Sequence, residues 1–192
     1  MIQPVAKLAF VQRYCSPMDG WRVFVDVDPS EEGRTGSARI SAAAVARHDV
    51  MLREAPLAIA ELRRLGACVG GRQREWKACF GSSLSLPKGD RDIIAVHEGR
   101  HLLWVTEVEG DSGGQPEGKI YKALGQLVCA ATEMAIPGFR RFLSLAAWGP
   151  GAEKHLRRAA ASSSMGISGL VISEERGLDQ WLFGERPDAH AP

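Results

Sequence analysis

Cysteine is scarce in this chain and follows no pattern. The four cysteines, Cys15, Cys68, Cys79 and Cys129, show no CxxC or other ligand spacing. That argues against a thiolate metal cluster and against a secreted disulfide framework, and it fits reduced thiols in a cytoplasmic protein. Charge of one sign is missing too. Lys and Arg total 24 against 23 Asp and Glu, leaving a net charge of +1, so no overall basic excess announces a polyanionic partner. Long apolar runs are absent as well. The stretch Leu8 to Val11 is too short for a signal-peptide core, and no run reaches membrane-spanning length. Neither an internal repeat nor a low-complexity block is visible. What remains is ordinary: 45% apolar and 24% charged residues over 192 positions, enough for one soluble domain with a sizeable core.

Patterning sketches that domain. Residues 5–12 and 21–27 read as two strands of an N-terminal hairpin, separated by a Pro/Gly turn at Ser16 to Gly20. A polar loop covers 28–38. A helical stripe runs from Ile40 to Leu65, with Pro56 marking a break or kink. Residues 76–86, 91–96 and 101–109 read as strands. Residues 116–134 form the clearest helix, with Ile120, Ala123, Leu124, Leu127, Val128 and Ala131 as its apolar stripe. A strand at 139–148, a helix at 151–164 and a strand at 167–173 follow. The expectation is an α/β fold whose mixed central sheet is flanked by helices. It forms a single domain over 1–183, with N-terminal strands and loop at 1–39, a core at 40–173 and a loose tail at 184–192.

Chemistry concentrates between Arg91 and Leu127. Asp92 opens one apolar strand, and Glu107 and Glu109 close the next. Alternation puts both glutamates on one face and Val108 on the other. Pairing the two strands through a short loop beginning at Glu98 sets Asp92 opposite either Thr106 or Glu107, depending on whether the loop ends at Arg100 or at His101. Three carboxylates then gather at one end of the hairpin, where their repulsion raises pKa values unless a cation intervenes. Carboxylates with water and phosphate oxygens suit magnesium, which can activate a water for phosphodiester hydrolysis. Lys119 lies in the first turn of the following helix, and Gln126 lies about two turns further along the same flank.

These residues resemble the core of the PD-(D/E)xK nuclease superfamily, which has the restriction-endonuclease-like fold. In that family an acid on one strand is followed by (D/E)xK on the next, and then by a helix that often carries a glutamine. Asp92 matches the first acid and Glu107 the second, and the element order over 40–173 is similar. The resemblance implies a three-layer core and metal-dependent cleavage of nucleic acid, DNA before RNA. It implies Mg²⁺ or Mn²⁺ held by Asp92, Glu107 and Glu109, with Lys119 and Gln126 assisting catalysis. A homodimer would suit two-strand cutting. One position departs from the motif: Glu109 stands where the family has lysine, and Lys119 would be that lysine moved to the helix. A non-catalytic nucleic-acid-binding or assembly module on the same fold is the alternative.

Blander readings compete at each site. Glu107 and Glu109 could be a charged strand edge, and Lys119 and Gln126 ordinary surface residues. The basic groups Arg63–Arg64, Arg72–Arg74–Lys77 and Lys154–Arg157–Arg158 could be solvated surface, and Trp76, Trp104 and Trp148 read as packing. The segment HEGRH at 97–101 also fits the zinc-peptidase pattern HExxH, which needs a helix to bring His97 and His101 together around Glu98. Gly99 and the β-branched flanks favour a turn instead.

Overall fold

The structure is a computed structural model that describes residues 1–27, 42–70, 80, 91–110 and 116–187. The described residues form an α/β domain built on a seven-stranded mixed sheet, with four α-helices of more than one described residue. In chain order these are α1 (Gln3–Tyr14), β1 (Arg22–Val25), α2 (Ala42–Arg64), β2 (Cys68–Val69), β3 (Ile93–His97) and β4 (Leu102–Glu109). Then come α3 (Pro116–Glu133), β5 (Arg140–Trp148), α4 (Pro150–Arg158), β6 (Ile167–Ile172) and β7 (Gln180–Phe183). The sheet order is β2-β1-β3-β4-β5-β6-β7. β3 is antiparallel to both β1 and β4, whereas β4, β5 and β6 run parallel. The parallel pairs need crossovers, and α3 and α4 supply them.

Each face of the sheet buries its own apolar set. On one side Phe10 and Val11 of α1 and Ile59 and Leu62 of α2 meet Val23, Ile93, Trp104 and Val108. On the other, Ile120, Ala123 and Leu127 of α3 and Leu156 of α4 meet Ile94, Leu103, Val105 and Leu145. Alternation along β4 therefore sends Trp104 and Val108 towards α1 and the odd-numbered positions towards α3. Trp104, read as a packing residue, is the largest fully buried side chain; its Nε1–H donates to Ser144 Oγ at 2.8 Å.

The N-terminus corrects the sequence reading. Residues 5–12 are not a strand: Gln3–Tyr14 is a helix, and β1 pairs with β2 and β3 instead of a hairpin partner. Pro4 sits in the first turn, where its missing N–H costs nothing. Ala6, Lys7, Phe10 and Val11 are buried at helical spacing. A four-residue apolar run inside that stripe looks the same in either periodicity. Pro56 does not split α2, which is assigned as one continuous helix. The strand expected at 76–86 lies outside the described residues except for Phe80, which is helical and buried. The short edge strands β2 and β7 were not anticipated, and the helix expected at 151–164 is α4 followed by a 3-10 segment, Ala159–Met165. No described helix is long and apolar enough to cross a membrane.

Candidate active site

The β3–β4 connection determines which acids meet. Residues 98–100 form a single 3-10 turn, and His101 closes it in the left-handed conformation at φ 51°. His97 pairs with Leu102 and Ile93 with Thr106. Of the two anticipated registers, this is the one that carries Asp92 opposite Glu107. HEGRH is thus a turn rather than a helix. His97 is occupied on both ring nitrogens: Nδ1 accepts from Arg100 N–H at 3.2 Å, and Nε2 lies 3.1 Å from the Asp19 carbonyl. His101 instead packs edge-on against Phe139. The helical geometry of a zinc peptidase is therefore not present at 97–101.

Asp92 is held from several sides. Its Oδ2 accepts Val108 N–H at 2.8 Å, tying the end of β3 to β4. Its Oδ1 pairs with Lys7 Nζ at 2.8 Å. The Gln3 amide stands 3.4 Å from both carboxylate oxygens and donates to the Val108 carbonyl at 2.9 Å. Lys7 also donates to the Asp26 carbonyl at 2.7 Å, and only 1% of its side chain is exposed. Gln3 and Lys7 are four residues apart on α1, so both reach the acids from one helix face. The approach is close: a Cβ on Gly110 would lie 2.5 Å from the Gln3 backbone nitrogen. Glycine at the end of β4 is what lets α1 come down onto the site.

Glu107 is the unusual member. It is 3% exposed, and its Oε1 has no hydrogen-bond partner among the described residues. Burial, followed by the charge of Asp92, pushes its carboxyl up to about 10, while Arg91 and Lys7 pull the other way. At neutral pH Glu107 therefore keeps its proton and can donate it to Asp92. Glu109 is half-buried at the strand end. Burial raises its carboxyl above the usual range, opposed first by Lys119 and, more weakly, by Lys7 and Lys122.

The expected residues are brought together only in part. Asp92 and Glu107 form a pair. Glu109 lies further along the same strand face, near the exposed Lys119. Gln126 is half-buried on α3, with no hydrogen bond to the acids among the described residues. Among those residues, no three His, Cys, Asp or Glu side chains converge as a metal cage. Lys7 is a cation in contact with Asp92 that the strand reading of the N-terminus concealed; a helical reading would have put Gln3 and Lys7 on one face. Of the basic groups, Arg64, Arg157 and Arg158 pair with Glu61, Glu153 and Glu117 respectively. Positions 72–77 lie outside the described residues. No protein-family model, curated protein or solved structure matches this chain.

The donor set fits a magnesium-like ion better than a caged one. Magnesium is commonly held by one or two carboxylates, several waters and substrate phosphates. A buried carboxylate oxygen without a partner among the described residues, beside a second carboxylate, is the kind of atom such an ion satisfies.

Proposed function

We propose that this protein is a metal-dependent nuclease with a restriction-endonuclease-like fold, related to the PD-(D/E)xK superfamily. The observation that carries the reading is the juxtaposition of Asp92 and Glu107 on neighbouring strand ends, with Glu107 Oε1 buried and without a hydrogen-bond partner among the described residues. The site lies where β4 and β5 end side by side, the edge at which parallel α/β sheets bind ligands. Asp92 and Glu107 would hold Mg²⁺ or Mn²⁺. Bound there, the ion would lower the pKa of a coordinated water and offset charge on the leaving oxygen.

The chain's own residues supply the rest. Val108 N–H fixes the Asp92 carboxylate. Glu107 would hold the ion as its carboxylate, its proton passing to solvent water. Glu109 is a further ligand or takes a proton from the attacking water, a role its raised pKa suits. Lys119 stands in the first turn of α3 and steadies a phosphate. Gln126 orients water or phosphate from the same helix. DNA is favoured over RNA by the resemblance, and a homodimer would deliver two-strand cuts.

The experiment is cleavage of plasmid and oligonucleotide substrates with Mg²⁺ or Mn²⁺ by the wild type, Asp92→Asn and Glu107→Gln. Metal-dependent cutting by the wild type that both variants lose is the expected result. Equal activity in all three would sink the assignment. A non-catalytic nucleic-acid-binding module on this fold is the second reading, favoured because Lys7 already neutralises Asp92 and Glu109 replaces the motif lysine. Metal-independent binding without cleavage, unchanged in Glu107→Gln, would select it.

A further inference from the structure

Lys7 has no place in the roles just assigned, yet it is a buried and closely held cation of the site. Its ammonium is 2.8 Å from Asp92 Oδ1 and 2.7 Å from the Asp26 carbonyl. Asp92 Oδ2 is taken by Val108 N–H, and the Gln3 amide faces both oxygens. A carboxylate has about four lone-pair positions, so the acceptor capacity of Asp92 is largely used. Lys7 also comes from α1 rather than from the hairpin that carries the acids. An ion entering between Asp92 and Glu107 meets a buried positive charge within contact distance of one of its ligands.

We propose that Lys7 is a resident counter-ion of the acid pair, which a divalent ion must displace from Asp92. The inference rests on the metal-site reading above and adds a competition to it. With no divalent ion bound, Lys7 holds the Asp92 carboxylate in place through Oδ1. On metal entry it gives up Oδ1, so part of the ion's attraction is offset by the lost ion pair. Lys7 is a positioning residue, and it weakens metal affinity. Neutralising it should therefore tighten metal binding, the opposite of what removing a merely structural residue would do. The pair that must be broken is a close contact between unit charges that are 1% and 12% exposed, so roughly ten-fold or more tighter binding is expected once it is absent.

The test is direct Mn²⁺ binding to the full chain by calorimetry and Mn²⁺ electron paramagnetic resonance. It compares the wild type with Lys7→Met, Lys7→Gln, Asp92→Asn and Glu107→Gln, with folding followed by circular dichroism. The expected result is Mn²⁺ binding lost in Asp92→Asn and Glu107→Gln, and tightened at least about ten-fold in both Lys7 variants. If a Lys7 variant is unfolded in chelator, Mn²⁺ at concentrations saturating the wild type should fold it, because the ion restores the missing charge. Lys7 variants that bind Mn²⁺ as the wild type does or more weakly, or that stay unfolded with it, overturn the displacement while the metal site stands. No Mn²⁺ binding sensitive to Asp92 or Glu107 overturns both.

Discussion

Glu107→Gln should make this protein more stable at neutral pH, and the gain should grow with pH. Glu107 is buried to 3% exposure, and its folded carboxyl is pushed up to about 10. In the unfolded chain it titrates near 4.3. A raised folded pKa means that the native state binds the proton more tightly. That contribution is complete below the unfolded value and is lost as pH rises towards the folded one. Between the two values the unfolded chain has released the proton and the native state still holds it. Each pH unit in that window then costs about 1.4 kcal/mol of stability. Glutamine has nearly the shape of the protonated acid, can donate to Asp92 and does not titrate. The stability difference between variant and wild type should therefore widen by about 1.4 kcal/mol per unit from roughly pH 5 to pH 8. From pH 5 to pH 7 that amounts to about 3 kcal/mol. For a domain of this size it moves the relative melting temperature by roughly 6–12 °C. Glu109, also raised, is present in both proteins and cancels in the difference. Urea denaturation of both proteins at several pH values, in chelator, measures it. A difference that is flat or narrows with rising pH would refute a buried, protonated Glu107. The same substitution should abolish Mn²⁺ binding, so stability and function would move in opposite directions, as expected where a site is built at a cost to the fold.

Two further predictions concern the frame around the acids. Lys7→Met alone leaves Asp92 without its close counter-ion and Asp92→Asn alone leaves Lys7 buried without one of its two contacts, so each should cost about 3–5 kcal/mol by chemical denaturation. The double variant should cost clearly less than the sum, and simple additivity would show that the pair is not coupled. Gly110→Ala should destabilise by about 1–3 kcal/mol, because its Cβ would meet the Gln3 backbone at 2.5 Å. Hydrogen exchange should localise the loosening to α1, and unchanged protection there would contradict the close approach.

Sequence alone determined the run of elements from β3 to β6. The 3.6-residue stripe of α3 and the apolar runs of β3, β4, β5 and β6 are local patterns, and local patterns survive in the structure. The turn at 98–100 was legible for the same reason: Gly99 and the β-branched flanks disfavour the helix that HExxH requires. Alternation likewise placed Glu107 and Glu109 on one strand face. Tertiary structure decided the rest. The hairpin register, which follows from a turn closed at His101 in the left-handed region, chose Glu107 rather than Thr106 as the neighbour of Asp92. Packing decided that residues 3–14 are a helix, because Phe10 and Val11 bury against the sheet only in that form. That helix then delivered Gln3 and Lys7 to acids some 85 positions away along the chain. A buried lysine beside a buried aspartate is a long-range pairing, and no local period encodes it. Sequence therefore located the carboxylates, while the fold determined which of them keeps its proton and which cation stands beside them.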